Sequence, residues 1–186
     1  RFRARLSKKA MDQINSEILR QFESQGLTIN ECIAVDARLV KSASHPISND
    51  KIKQARDEHN TPDGKLDKNG KPLKFHRDLD SDWVVQKDTP HYGLKEHASV
   101  DTNHGFVLVT TMTPASVNDT NYLQYCTAFS RHTKQPIDKV FADKGYAGKP
   151  NREFLALNKI ADGIMRKDST TAKLTEYEKK RNKKIS

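Results

Sequence analysis

The sequence has few of the residues that mark secreted, zinc-binding or membrane proteins. Only two cysteines, Cys32 and Cys126, occur among 186 residues, and they form no CxxC pair. This spacing argues against a zinc ribbon and a disulfide framework, so we expect reduced core thiols in a cytosolic protein. No apolar run approaches the roughly 18 residues that span a bilayer, and no secretory signal is recognisable. We therefore expect no membrane partner.

Hydrophobic residues are also scarce, at 34% of the chain, whereas charge is abundant. Lysine and arginine number 33 against 24 acidic residues, a net charge of +9. The length allows one compact domain with a modest core. Because neutralising a phosphate releases a counterion, such a balance favours a nucleic-acid partner. A soluble protein that is simply basic would show the same balance.

Apolar periodicity predicts one amphipathic helix and then an alternation of strands and helices. Residues 4–25 predict the helix, which ends near Gly26 and should pack on the core through one stripe. That stripe comprises Leu6, Ala10, Met11, Ile14, Ile18, Leu19 and Phe22. The later predictions are a strand at 31–40, a polar stretch at 41–90, strands at 95–100 and 105–113, a helix at 119–132, a strand at 139–142, a helix at 150–159, a strand at 161–166 and a lysine-rich tail from 170. The order predicts an α/β fold, a mixed sheet flanked by helices with ribonuclease-H-like connections.

Two aspartates at predicted strands are candidate metal ligands. Asp36 interrupts an apolar strand, which is costly unless the acid is paired or binds metal. Asp143 directly follows the strand 139–142 and precedes a glycine, at a strand end where ligands gather. The alternative interpretations of Asp36 are a satisfied core acid and a strand that ends at Val35. For Asp143 the alternative is an ordinary N-cap or turn residue. If the two strands are neighbours, the carboxylates could hold a divalent metal, which Mg²⁺ binds together with water and phosphate oxygens.

Four ordered segments of the chain resemble the DDE transposases of bacterial insertion sequences, with insertion-sequence family five as the closest type. The segments are Val35–Val40, Tyr92–Asp101, Gly105–Asp119 and Ala142–Tyr146, and the resemblance covers roughly residues 1–186. It implies a helical segment at 1–30 before a ribonuclease-H-like catalytic domain at 31–186, with a polar insertion at 41–90. It also implies DNA cleavage and strand transfer that depend on Mg²⁺ or Mn²⁺, with two ions in the complete site.

The same resemblance assigns the site residues. Asp36 matches the first catalytic, metal-binding aspartate of the family and Asp143 the second. The third acid is a glutamate on a helix after a basic stretch, which we expect beyond Ser186, so the chain is expected to be truncated at both ends. We interpret Glu153, Glu176 and Glu178 as ordinary surface acids, outside the matching context.

The implied partner is DNA, at transposon ends and target, with a possible homodimer in the DNA complex and a nucleoid-associated location in the bacterial cytoplasm. The candidate DNA contacts are Lys95, Lys144, Lys179, Lys180 and Arg181. His91, His97 and His104 lack metal-ligand spacing, so zinc is not expected. Two alternatives stay open: an inactive remnant that only binds DNA, and another metal-dependent nuclease of this fold, which would cleave without joining strands.

Overall fold

In a computed structural model, the chain is described at residues 7–27, 29, 31–43, 80–131, 136–169 and 173–185, and at the single positions 50, 53 and 57. In chain order the elements are helix α1 (Lys8–Ser24), strands β1 (Cys32–Lys41), β2 (Asp82–Gln86), β3 (Thr89–Asp101) and β4 (Val107–Pro114), the 3₁₀ helix η1 (Asp119–Tyr122), α2 (Leu123–Phe129), β5 (Lys139–Ala142), the 3₁₀ helix η2 (Lys144–Tyr146), α3 (Lys149–Leu157), β6 (Ala161–Ile164) and α4 (Glu176–Ile185).

The chain divides into two compact units. The core unit contains Arg1–Ala37, His97–Thr111 and Asn118–Ser186, and the second unit contains Arg38–Glu96 and Met112–Val117. Strands β1, β3 and β4 continue from one unit into the other. The two candidate catalytic aspartates both belong to the core unit.

The strands of the core unit lie in the order β4-β3-β1-β5-β6. Strand β5 pairs in parallel with β1 on one side and β6 on the other. Strands β1 and β3 run antiparallel, because Thr102 donates its N–H to Cys32 O while Ser42, further along β1, donates to Tyr92 O, earlier in β3. Three antiparallel strands followed by parallel strands joined through helices form the ribonuclease-H-like mixed sheet of an α/β protein, as predicted.

The core forms where the helices cover this sheet. Ile33 and Val35 of β1 and Val140 of β5 are buried, together with Leu123 of α2 and Leu155 of α3. Burial along β1 and β5 alternates: one face is fully buried, and Ala34 and Phe141 on the other face are half-buried. Because neither face is fully open to solvent at these positions, both are apolar, which explains the nearly unbroken apolar runs around residues 33 and 140. The core fixes the two parallel strands that carry the aspartates.

Helix α1 turns a different face to the core from the one its apolar stripe predicts. Leu19 is buried and Phe22 stacks on Phe106 with 4.6 Å between ring centroids, but Ile14 and Ile18 are 46% and 45% exposed. Asn15 Nδ2 donates to Leu108 O at 3.2 Å, which sets the rotation of the helix against β4. The predicted packing is confirmed for Leu19 and Phe22 and wrong for Ile14 and Ile18.

The second unit contains a strand that the sequence did not predict. Strand β2 lies inside the predicted polar insertion and pairs antiparallel with the first residues of β3 through a turn at Lys87 and Asp88, whose φ values are 49° and 61°. Trp83 and Val85 of β2 are exposed, so the strand lacks the apolar alternation that reveals a half-buried strand. Residues 44–49, 51–52, 54–56 and 58–79 of the insertion lie outside the described residues.

The remaining local predictions concern the cysteines and membrane spans. Cys32 and Cys126 are both free thiols. Burial raises the pKa of Cys126 to about 11, which keeps this thiol protonated at neutral pH. Within the part of the chain that the structure describes, no helix is long and apolar enough to cross a bilayer.

Candidate active site

Parallel pairing brings Asp36 and Asp143 to the same end of two neighbouring strands. Along β1 and β5 the partners are Cys32 with Lys139 and so on to Val35 with Ala142. Asp36 and Asp143 directly follow that last pair, Asp36 within β1 and Asp143 just past the end of β5. Neighbouring strands lie about 4.8 Å apart, so the register places the two acids side by side at one edge of the core. This is the adjacency that the sequence could only propose.

Asp36 is exposed although the residues before it are buried. Ile33 and Val35 of β1 are buried, Asp36 is exposed to solvent, and no later residue of the strand is buried. Its Oδ1 accepts the N–H of Ala37 at 2.8 Å. The alternative interpretation of Asp36 as a satisfied core acid is therefore wrong, because the strand leaves the core at this residue.

Asp143 caps η2 through one of its two carboxylate oxygens. Its backbone is extended, with φ −71° and ψ 176°, and Oδ1 accepts the N–H of Gly145 at 2.7 Å. The N–H of Tyr146 donates to Asp143 O at 3.2 Å and closes the turn. We call residues 143–146 the Asp143 turn. The capping role leaves Oδ2 without a partner among the described residues, so capping and metal binding can coexist.

A buried phenol lies beside the two aspartates. Tyr146 is 1% exposed, and its hydroxyl has no hydrogen-bond partner within the described ranges. Desolvation raises the pKa of Tyr146 well above its ordinary value, and the negative charges of Asp119, Asp36 and Asp143 add to that rise. The phenol is therefore neutral at any physiological pH, and all three carboxylates share its electrostatic surroundings.

No sequence pattern identifies Asp119 as a member of this group. In the structure Asn118 caps η1 by accepting the Thr120 N–H at 3.1 Å, and Oδ1 of Asp119 is buried. The adjacency of Asp119 to Tyr146 depends on contacts between distant segments, which no local pattern encodes. Asp101 is a turn residue at the end of β3, since its carboxylate accepts the N–H of His104 at 2.6 Å.

The chemistry of the two exposed carboxylates fits a divalent cation. Both offer a hard oxygen donor at one strand edge, which suits Mg²⁺ or Mn²⁺ better than softer metals. Among residues 7–43, 80–131, 136–169 and 173–185, as far as they are described, no group of three or more histidine, cysteine, aspartate or glutamate side chains is placed to hold a metal ion. The two aspartates thus provide part of a ligand set.

The predicted DNA contacts fall into exposed and engaged residues. Lys144 is exposed in the Asp143 turn, and Lys179 and Lys180 are exposed on α4, where Lys179 pairs with Glu176. Lys95 in the second unit is 7% exposed and its Nζ donates to Val117 O at 2.7 Å. Burial leaves Lys95 little surface to offer a DNA backbone.

Arg181 is also engaged within the protein. Its guanidinium donates to Ile164 O at 3.0 Å and to Asp162 O at 2.6 Å, two carbonyls on the outer edge of β6. Asn182 next to it exchanges hydrogen bonds with the main chain of Arg166, accepting the N–H at 2.8 Å and donating to the carbonyl at 2.9 Å. These contacts make Arg181 part of the protein's own framework.

The family model for the transposase DDE domain matches residues 29–185 of this chain. The chain belongs to the DDE transposase family. It is 29% identical over 184 residues to the transposase for insertion sequence element IS1106 of Neisseria meningitidis serogroup B, a match that covers 95% of this chain and 58% of that protein. The chain thus spans less than two thirds of the length of this relative. DDE transposases generally use divalent metal ions, and the matched range includes both Asp36 and Asp143.

Among solved structures, the chain is similar to the piggyBac transposase in a synaptic complex with hairpin DNA. The TM-score is 0.41 at 12% identity, covering 84% of this chain and 28% of that one. The family assignment rests on the family model, and the fold description rests on the strand order and pairing given above.

Proposed function

We propose that the chain is the catalytic core of an insertion-element transposase, in which Asp36 and Asp143 bind divalent metal for DNA cleavage and strand transfer. The observation that carries the proposal is the placement of both carboxylates one residue beyond the Val35–Ala142 pair of adjacent parallel strands. The family membership supports it independently. The type, insertion-sequence family five, stays a prediction, as do the homodimer and the cytoplasmic, nucleoid-associated location.

In this proposal the protein's own residues prepare the site for a phosphodiester. Asp36 and Asp143 supply carboxylate oxygens, and the Gly145 N–H holds Oδ1 of Asp143, which leaves Oδ2 for a metal ion. The exposed ammonium of Lys144 adds positive charge beside the anionic substrate. Bound Mg²⁺, ultimately two ions, would activate water on one side of the phosphorus and stabilise the leaving oxygen on the other. Hydrolysis at the element end frees a 3′-OH, which then attacks a phosphodiester of target DNA. The new phosphorus–oxygen bond joins the element to the target, and the broken bond releases a 3′-OH on the cut target strand.

The test is calorimetric titration of the 186-residue chain with Mn²⁺ and Mg²⁺. We expect measurable binding by the unaltered chain and its loss in both Asp36→Asn and Asp143→Asn, because a shared ion needs both carboxylates. Asp138→Asn is the matched control, since Asp138 is exposed at the opposite end of β5. Equal binding by all four proteins would mean that the two aspartates form no metal site, and the proposal would fail.

A DNA assay separates the alternatives. Metal-dependent nicking of element-end DNA followed by covalent joining to a second duplex supports a transposase, and nicking without joining supports another nuclease of this fold. DNA binding with metal bound but no nicking supports the DNA-binding remnant. Because the site is expected to need a third carboxylate, the nicking assay is repeated with the longest available form of the protein.

A further inference from the structure

The Asp143 turn is held from outside by two residues of other elements. Thr120 in η1 donates its hydroxyl hydrogen to Gly145 O at 2.8 Å. Asn151 in α3 is 1% exposed, and its amide nitrogen donates both to Thr120 O at 2.9 Å and to Tyr146 O at 3.1 Å. Three hydrogen bonds therefore join η1, the Asp143 turn and α3 into one network inside the core unit.

Each member of this network is itself fixed. Asn151 Oδ1 accepts from Gln124 Nε2 at 3.3 Å, so its amide cannot flip without losing its bonds. Tyr122 in η1 stacks on buried His97 of β3, with 4.3 Å between ring centroids and 14° between planes. This stacking fixes η1 against the central sheet, and the Thr120 hydrogen bond in turn fixes the Asp143 turn against η1.

The turn has little that could fix its carboxylate without this support. It is a three-residue 3₁₀ helix with one glycine, so its own hydrogen bonds are few. The carbonyl and the N–H of Gly145 belong to the two peptide planes that meet at its Cα atom, so a hydrogen bond to the carbonyl restrains the position of Gly145. The Gly145 N–H in turn orients Asp143 Oδ1 at 2.7 Å. The path from Thr120 to the Asp143 carboxylate thus has two hydrogen bonds and one residue between them.

We propose that Thr120 and Asn151 are positioning residues, which hold the Asp143 turn against η1 and thereby set the direction of the Asp143 carboxylate toward its metal. The expected effect on metal affinity rests on the proposed function. The expected effect on the conformation of the turn is independent of it. Partners that orient a ligand typically change metal affinity by about 10- to 100-fold when removed. Neither residue needs to touch metal or DNA for this role.

The test uses near-isosteric variants of the 186-residue chain. Thr120→Val removes the hydroxyl and keeps the shape, Thr120→Ser restores the hydroxyl, and Asn151→Leu removes both amide donors. Thr127→Val is the matched control, because the buried Thr127 hydroxyl donates in the same way to Leu123 O at 2.7 Å but lies outside the network. If Asn151→Leu does not fold, Thr120→Val tests the proposal alone.

Two readouts are taken, the amide resonance of Gly145 by ¹⁵N nuclear magnetic resonance without metal and Mn²⁺ affinity by calorimetry. We expect Thr120→Val to move the Gly145 amide upfield and to weaken Mn²⁺ binding by about 10-fold or more, with recovery in Thr120→Ser and no change in Thr127→Val. An unchanged Gly145 amide in Thr120→Val overturns the positioning role. A third outcome separates the two proposals. If the Gly145 amide shifts in Thr120→Val but the unsubstituted chain binds no Mn²⁺, Thr120 holds the turn, its link to metal is overturned, and the result counts against the proposed function.

Discussion

Glycine at position 145 allows the carboxylate of Asp143 to lie directly against the main chain. A Cβ atom built on Gly145 would stand 2.8 Å from Asp143 Oδ1. The φ angle of Gly145 is not positive, so the need for glycine comes from this close approach and not from backbone conformation. Because the obstructing atom is the end of a side chain, it can move aside at small energetic expense.

We therefore predict that Gly145→Ala damages metal binding and spares stability. The added methyl group displaces the Asp143 carboxylate, so Mn²⁺ affinity should fall by about 10-fold or more. The free energy of unfolding should change by no more than about 0.5 kcal/mol, as for most surface substitutions. Calorimetric titration and urea denaturation measure the two quantities.

Gly105→Ala is the matched control, with the opposite expectation. Gly105 has φ +76°, and a Cβ atom added there would have nothing within 4 Å, so alanine is strained but meets no neighbour. Unfolding should become easier by about 1–2 kcal/mol, with Mn²⁺ affinity unchanged. Equal loss of Mn²⁺ affinity in both variants would show that metal binding follows overall stability and would contradict the specific role of Gly145.

The residues that sequence could identify are those whose local context is unusual. Asp36 and Asp143 stand out because a lone acid ends an apolar run, and their family motifs add to that signal. Thr120 and Asn151 could not be found this way, since threonine and asparagine are ordinary at helix starts and on helices. Their roles come from partners 25 and 31 residues away in the chain.

At the scale of elements, helix α4 covers the open edge of the sheet. Among the strands that the structure describes, β6 is the last on its side of the sheet, so its outward carbonyls would otherwise face solvent or another chain. Arg181 and Asn182 satisfy the outward groups of residues 162, 164 and 166, while the Asp162 carboxylate accepts from Arg152 and pairs with Arg166. The sequence indicated a lysine-rich tail here, either helical or disordered, but neither the helix nor its docking on β6.

We predict that replacing two neighbouring cationic residues of α4 affects two different properties, stability for one and DNA binding for the other. Arg181→Met keeps much of the aliphatic stem but removes the donors to two carbonyls, so it should lower the free energy of unfolding by about 1–3 kcal/mol. Lys180→Met, at an exposed position, should leave stability unchanged and weaken binding to duplex DNA at low salt. Thermal denaturation and fluorescence anisotropy with labelled DNA measure the two effects.

The result that would contradict this division is an Arg181→Met chain with unaltered stability and reduced DNA affinity. That outcome would return Arg181 to the DNA-contact role that the sequence predicted. Asn182→Ala provides a second check on the edge contact, because it removes the exchange with Arg166 without changing charge.

Other elements show where periodicity is a sound guide and where it fails. Strands β1 and β5 were predicted because parallel strands covered by helices are apolar on both faces. Strand β2 was missed because its exposed Trp83 and Val85 form no alternating pattern, and its turn uses Lys87 and Asp88 where glycine or asparagine is usual. The rotation of α1 was misjudged because Asn15, a polar residue, makes the contact with β4.

At the scale of the whole molecule, composition and order of elements carried most of the information. A net charge of +9 indicated a polyanionic partner, and the strand–helix order predicted the ribonuclease-H-like sheet. Neither could show that the fold separates into a core unit with both aspartates and a second unit with β2. The boundary between the two units falls inside the long strands β1, β3 and β4. Tertiary contacts decide its position, and no local sequence pattern encodes them.

The proposed shared site places one divalent ion between Asp36 and Asp143 at the ends of β1 and β5. It is tested most directly by adding Mn²⁺ in small amounts to the ¹⁵N-labelled chain and following paramagnetic broadening of its amide resonances. We predict that the amides of Asp36, Ala37, Asp143 and Lys144 broaden first and together, and that either Asp→Asn substitution abolishes the effect at both strand ends. Broadening that begins elsewhere, or at only one of the two aspartates, would contradict the shared site.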